Sequence, residues 1–134
     1  MTSEVIYVGE LRTEAEHLKS GVKIISDAPV DNHGKGEAFS PTDLVATGFG
    51  SCMLTLMGIA ANGHQLNIDG ARVTINKIMA SDPRRIIKIE AEIYMPSGAY
   101  SEKDKKILEH AAITCPVAKS LHPDIDQQVN FHWQ

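Results

Sequence analysis

The stretch SPTDLVATGFGSCMLTLMGIAANG, residues 40–63, decides the fold of this protein. Ser40 followed by Pro41 is typical of a helix start, because a serine at the N-cap accepts a backbone N–H and proline suits the first helical position. Asp43 falls at the third helical position, where a carboxylate favours the positive end of the helix dipole. The final Asn-Gly pair is a stop signal. The stretch therefore predicts one long helix that ends near residue 61.

This helix carries no charged side chain over residues 44–61, which is close to the minimum length for crossing a bilayer. It contains glycine, serine and threonine, and no aromatic or basic anchors flank it. We therefore predict a buried helix of a soluble protein and no membrane partner. A helix that is apolar on all sides needs burial on all sides, which a chain of 134 residues provides poorly by itself.

Composition narrows the function classes. The chain is 43% hydrophobic and 22% charged, which is ordinary for one globular domain. Its net charge of −4 repels phosphate backbones, so no nucleic-acid partner is predicted. The six histidines show no metal-ligand spacing, and we predict neither a metal nor a cofactor. The first residues, MTSEVIYVGE, lack the pattern of a secretion signal, which predicts a cytoplasmic protein.

The rest of the chain alternates between strand and helix patterns. Strands are predicted at 4–8, 11–19, 22–26, 66–79, 86–95 and 128–133, with a loop over 27–39. Ser101 and Asp104 form a near capping box that predicts a second long helix. A short helix is predicted to restart at Pro116. Strands, helix, strands, helices and strand in this order predict an α+β domain.

Two cysteines, Cys52 and Cys115, are the candidate reactive groups. A thiol reacts as its thiolate, so a reactive cysteine needs a lowered pKa. The helix that starts at Pro116 is expected to favour the anion of Cys115. Cys52 lies mid-helix and needs a cation from elsewhere, for which Arg12 is our candidate. From the residues alone, two inert core thiols are the favoured interpretation, because free cysteine is among the most buried residue types.

Two segments carry a resemblance to a known family. SPTDLVATGFGSCMLTL, residues 40–56, and ITCPVAKSL, residues 113–121, together resemble the signature pair of the OsmC and organic hydroperoxide resistance (Ohr) superfamily. The likeness spans nearly the whole chain. It implies a single OsmC-like domain over residues 1–134, with antiparallel sheets wrapped around long central helices in an intertwined homodimer.

The resemblance also implies a chemistry. Cys52 would attack an organic or fatty-acid hydroperoxide and become a sulfenic acid, and Cys115 would condense with it to a disulfide. A thiol reductant, such as a dihydrolipoyl group, would restore both thiols. This predicts a cysteine-based peroxidase that acts in oxidative or osmotic stress defence.

The charged residues of the site depart from the family pattern. Peroxidase members pair an arginine from an N-terminal strand with a glutamate ten positions before the first cysteine. That position is Thr42 here, and the acidic residue, Asp43, comes one place later. The predicted site is therefore Cys52, Cys115, Arg12 and Asp43, with Glu37 as a substitute carboxylate.

Two other functions stay open at this point. A non-catalytic member of the family would sense oxidants or bind a small apolar ligand with the same thiols, and Thr42 favours that alternative. An inert dimeric fold would use its cysteines only for packing.

Overall fold

The computed structural model describes residues 1–134, which divide into a first unit, Met1–Val45, and a second unit, Ala46–Gln134. The chain order is strands, helix, strands, helices and strand, which confirms the α+β class. Two three-stranded sheets hold all six strands. The single OsmC-like domain over the whole chain stays a prediction.

The first unit contains a β-meander. Strands β1 (Ser3–Gly9), β2 (Arg12–His17) and β3 (Lys23–Asp27) pair antiparallel in chain order, which confirms the three predicted N-terminal strands. A tight turn joins β1 to β2, and the backbone has positive φ angles from Gly9 to Leu11. After β3 the chain is irregular up to residue 40, apart from one 3-10 turn at Val30–Asn32.

Strand β1 leaves apolar side chains exposed on both of its faces. Successive residues of a strand point to opposite faces, and the neighbours Val5 and Ile6 are 60% and 52% exposed. The same holds for Ile24 and Ile25 of β3. Soluble monomers rarely leave such continuous apolar surface open, so this sheet presents a surface suited to a partner.

Helix α1 (Pro41–Gly63) begins where the sequence predicts. The Asp43 N–H donates to Ser40 Oγ over 3.0 Å, and the Ser40 N–H donates to Asp43 Oδ2 over 2.9 Å. These reciprocal bonds satisfy backbone groups that the first helical turn cannot pair internally. Serine and aspartate at this spacing therefore fix the start of the helix.

The second unit contains a mixed sheet and two further helices. Strands β4 (Arg72–Ala80) and β5 (Arg85–Tyr94) form a long antiparallel hairpin. Helices α2 (Glu102–Ile113) and α3 (Pro116–Ser120) then lead to β6 (Asp126–His132), which pairs with β5 in parallel. The sheets are thus antiparallel except along β6, whose connection from β5 is a helical crossover.

One predicted strand starts later than its sequence pattern suggests. The expected strand over 66–79 begins only at Arg72. Before it, the Asn67 side chain accepts the Asp69 N–H over 2.7 Å, and Gly70 has φ +90°. A side chain that bonds the backbone two residues on makes a turn, which is why residues 66–71 do not extend the sheet.

The capping box predicted for α2 is confirmed. Ser101 accepts the Asp104 N–H, and Asp104 accepts the Ser101 N–H in return. The next helix, α3, starts with Pro116 at its first position, as predicted. The local sequence therefore determines where α2 and α3 begin.

The core of the second unit forms where one side of α1 meets the sheet and α2. Its buried residues from α1 lie along one side of the helix: Ala46, Phe49, Gly50, Met53, Met57 and Ala61. They share a core with Ile89 and Ile93 of β5 and with Leu108 of α2. A side chain at Gly50 would meet Ile75 at 3.0 Å, so this glycine permits the close approach of β4.

The other side of α1 is not covered within one chain. Ile59 is 62% exposed, so the prediction of burial on all sides is not met by the single chain. An 18-residue window of α1 is apolar enough to span a membrane, and 33% of that window is buried. That is weak support for a membrane span, because core helices of soluble proteins have the same length and composition.

Candidate functional site

The second unit brings the two cysteines together. Cys52 lies on α1 and is half-buried, whereas Cys115 is completely buried at the start of α3. Both pack in the same apolar core. The two thiols lie close enough for Cys52 to raise the pKa of Cys115. The fold thus places one partly accessible thiol beside one inaccessible thiol.

Cys115 is the N-cap residue of α3. Its sulfur accepts the backbone N–H of Ala118 over 3.4 Å. Burial raises the pKa of the Cys115 thiol, the Ala118 N–H lowers it in part, and Cys52 raises it again. The lowered pKa that we predicted for Cys115 is therefore wrong. Helix α3 has only five residues and hence few aligned dipoles, and the cost of burying a charged sulfur exceeds their effect.

Arg12 is paired with a carboxylate that is not among the predicted site residues, Asp27. Arg12 opens β2 and Asp27 closes β3, directly opposite each other in the register. Arg12 Nε donates to Asp27 Oδ1 over 2.6 Å, and Nη2 donates to Oδ2 over 2.8 Å. Asp27 is fully buried, while 28% of the Arg12 side chain stays exposed.

The same carboxylate also holds the loop that follows β3. Asp27 Oδ2 accepts the Glu37 N–H over 3.1 Å. The hydrogen bond from Arg12 lowers the pKa of Asp27 more strongly than burial raises it. Conversely, the bond to Asp27 raises the pKa of Arg12, and Glu37 and Glu10 add to that effect through their charge. The pair is therefore fully ionised at neutral pH.

Asp27 falls in the stretch predicted as a loop, residues 27–39, and is therefore missing from the predicted site. The strand register alone would have identified it, because hairpin geometry sets the first residue of β2 against the last residue of β3. Asp43, the acidic residue of the predicted site, forms the capping box with Ser40. Thr42 lies beside it, with its hydroxyl 3.2 Å from Ser40 Oγ.

The surroundings of Arg12 combine charges of both signs. Lys35 donates to Glu10 over 2.7 Å, which lowers the pKa of Glu10 and raises that of Lys35. A groove of about 760 Å³ in the same unit is lined by Ile24, Phe39, Glu37 and Asp43 among others. Its walls are mainly apolar, with Lys23 as a further charged residue beside the two carboxylates, which suits an apolar small molecule. No three His, Cys, Asp or Glu side chains are grouped as metal ligands.

The family follows from a match over most of the chain. Residues 34–130 match the OsmC family, described as OsmC-like protein, and this range includes both cysteines. The chain belongs to the OsmC-like family. No curated protein matches it.

Solved structures agree with this OsmC-like assignment. A crystal structure from Psychrobacter arcticus, proposed to be an osmotic stress induced and detoxification response protein, is 52% identical. It has a TM-score of 0.94 over 98% of this chain and 96% of its own. The organic hydroperoxide resistance protein OsmC of Legionella pneumophila is 16% identical, with a TM-score of 0.77 over 98% of this chain and 97% of its own. An organic hydroperoxide resistance protein from Elizabethkingia anophelis is 14% identical, with a TM-score of 0.77 over 100% of this chain and 97% of its own. The last two show a shared fold.

Proposed function

We propose that this OsmC-like protein is a thiol-dependent peroxidase that reduces organic or fatty-acid hydroperoxides in cytoplasmic stress defence. The observation that carries the proposal is the proximity of a half-buried Cys52 to a fully buried Cys115 in one apolar core. The names of two structural relatives, both organic hydroperoxide resistance proteins, support the choice of substrate.

The first step uses the more accessible thiol. The Cys52 thiolate attacks the terminal oxygen of the hydroperoxide, the O–O bond breaks, and the alcohol leaves after taking up a proton. Cys52 becomes a sulfenic acid. Because Cys52 adjoins an apolar core, an organic peroxide fits its surroundings better than hydrogen peroxide.

The second step uses the buried thiol. Cys115 attacks the sulfenic sulfur, a disulfide forms and water leaves. The raised pKa of Cys115 keeps it protonated and unreactive until that electrophile appears beside it. A dihydrolipoyl dithiol then reduces the disulfide and becomes a disulfide itself, which returns both cysteines to thiols.

We assign Arg12 as the cation that stabilises the Cys52 thiolate and Asp43 as the acidic residue of the site. Arg12 is suited to this role because it keeps its charge and because Asp27 fixes its orientation. Asp43 has a structural task in the helix cap, so its substitution will affect stability as well as activity.

A homodimer is part of the proposal. Apolar side chains on both faces of β1 and the exposed Ile59 on α1 need a partner surface, and a second copy of the chain supplies one. Sedimentation equilibrium should give twice the chain mass of 14.6 kDa at micromolar concentration. A monodisperse monomer would contradict this part of the proposal.

A second function is favoured by one observation. The apolar groove of the first unit, with Ile24, Phe39 and Asp43 in its walls, has room for a small apolar ligand. A non-catalytic member would bind such a ligand, or would undergo a single oxidation as a sensor.

The deciding experiment mixes reduced protein with cumene hydroperoxide and dihydrolipoamide, and follows peroxide loss and free thiols together. The peroxidase predicts many turnovers, none in Cys52→Ser, and a trapped sulfenic acid in Cys115→Ser. One stoichiometric oxidation indicates a sensor. Thiols that stay unreactive in the folded protein exclude redox chemistry and leave ligand binding.

A further inference from the structure

We propose that Cys52 and Cys115 together form a binding site for monosubstituted trivalent arsenicals, in which an arsenic atom carries an organic group and two hydroxyls. The half-buried Cys52 and the fully buried Cys115 share one apolar core. The proposed peroxidase uses these sulfurs in turn, whereas an arsenical engages both at once. Binding of this kind goes beyond the proposed function and requires no peroxide turnover.

The site offers a pair of sulfur donors without a third ligand. No three His, Cys, Asp or Glu side chains of the chain are grouped as metal ligands. Zinc sites in proteins use three or four such ligands. Thiol sulfur is a soft donor and selects soft acceptors. The cysteine pair therefore suits a soft acceptor that needs only two bonds from the protein. A monosubstituted arsenical meets this condition because its organic group occupies the third position on arsenic.

The apolar surroundings favour a bound complex without net charge. No charged side chain of the second unit is buried. The groups that act on the pKa of Cys115 are Cys52 and the backbone N–H groups of Val117 and Ala118, and none of them is a cation. An unpaired charge in such a place is costly. A copper(I) ion with two thiolates is an anion, whereas arsenic bound to two sulfurs and one carbon is neutral.

The binding reaction also suits a thiol that resists ionisation. Each sulfur replaces one hydroxyl on arsenic, and the two S–H protons leave with those hydroxyls as two water molecules. Arsenic stays trivalent, and neither side of the reaction carries a net charge. The more accessible Cys52 reacts first, and Cys115 then closes the chelate. Burial raises the pKa of Cys115, which disfavours a lasting thiolate but leaves this exchange possible.

The chelate would join two helices. Cys52 lies within α1, and Cys115 is the N-cap residue of α3. One arsenic atom would therefore link elements that are distant in the chain. Cross-links of this kind stabilise a fold, and so does any ligand that binds only the folded state. Binding should consequently raise the Tm of the reduced protein.

Phenylarsine oxide is the probe for the test. The reduced protein is titrated with it in the absence of peroxide, and mass spectrometry follows the adduct while a thiol reagent counts free cysteines. We expect one phenylarsenic group per chain, loss of both thiols and a higher Tm. Because the second thiol acts at a high effective concentration, Cys52→Ser and Cys115→Ser should each bind at least about 100-fold more weakly. Cys52→Ser carries this comparison if the change at the buried Cys115 prevents folding.

Competition with small thiols makes the result specific. The dithiol 2,3-dimercaptopropanol should remove the arsenical from the wild type, whereas the monothiol glutathione should not. In Cys52→Ser, glutathione should remove it, because only one protein sulfur holds the arsenic. Zn²⁺ is a second probe and should bind only weakly, since the site lacks further ligands.

The outcomes are independent of peroxidase activity. A folded, reduced wild type that forms no adduct, loses it to glutathione or binds Zn²⁺ tightly would overturn the arsenical site, even if the protein reduces peroxides. An adduct that depends on both cysteines and resists glutathione would support the site, even in a protein without peroxide turnover.

Discussion

The sulfur of Cys115 accepts the backbone N–H of Ala118, 3.4 Å away, and so caps the short helix α3. Ala118 makes a second hydrogen bond through its carbonyl oxygen, which accepts from Gln127 Nε2 over 3.0 Å. The Cys115 sulfur therefore links the proposed redox pair to the start of a helix. A sulfur that turns toward Cys52 to form a disulfide gives up this role.

Oxidation should consequently loosen α3. Loss of one hydrogen bond costs about 1 kcal/mol, which corresponds to roughly fivefold faster hydrogen exchange at the Ala118 amide. Exchange measured by NMR on the reduced and the peroxide-treated protein will test this. Cys52→Ser treated in the same way is the control, since it cannot form the disulfide. Equal protection of Ala118 in both redox states, with the disulfide verified by thiol titration, would show that the cap survives oxidation.

Gly50→Ala should destabilise the second unit. The new Cβ would lie 3.0 Å from two atoms of Ile75 and 3.1 Å from Val73, which forces the core apart. Overpacking typically costs about 1–3 kcal/mol, and alanine recovers up to about 1 kcal/mol of helix propensity. Gly48→Ala on the same helix is a matched control because nothing lies within 4 Å of its Cβ position. Urea unfolding should rank Gly50→Ala below Gly48→Ala in free energy of unfolding, and the reverse order would contradict the packing described.

The Asp27–Arg12 pair should make stability depend on acid pH. The Arg12 guanidinium lowers the pKa of Asp27 below its ordinary value of 3.8. A carboxylate with a depressed folded-state pKa contributes stability that is complete above its unfolded pKa and is lost as the pH falls through the folded one. Below about pH 4, the free energy of unfolding of the wild type should therefore fall more steeply than that of Asp27→Asn. Parallel curves from urea titrations would rule out this linkage.

The parallel pair of strands β5 and β6 allows a further test of how charge affects stability. Glu92 on β5 accepts hydrogen bonds from two residues of β6, His132 at 2.7 Å and Asn130 at 3.0 Å. These bonds lower the pKa of Glu92, with that of His132 the larger effect. Glu92→Gln should lower the free energy of unfolding only slightly at pH 7, because the pair is partly exposed and screened by solvent. By the same sign rule, this difference should shrink as the pH falls below 4.5, the ordinary value for glutamate. Thermal unfolding of the wild type and of Glu92→Gln at several pH values will show whether the difference in stability shrinks in acid.

The sequence by itself determined the parts of this protein that depend on neighbours in the chain. Ser40 and Ser101 start their helices by accepting hydrogen bonds from residues three positions further along. Such local contacts can be predicted from the sequence. The N-terminal meander follows from short strands with turn residues between them. The two cysteine segments were enough to indicate the OsmC-like family, which the match over residues 34–130 confirms.

Only the tertiary structure decided what depends on distant partners. The choice of Asp27 for Arg12 rests on hairpin register, and the parallel pairing of β6 rests on a crossover through two helices. Helix dipole arguments predicted a lowered pKa for Cys115, but the core that closes over its sulfur raises it. Burial and long-range pairing are properties of the packed chain, and a side chain's charge state follows its surroundings more than its position in the sequence.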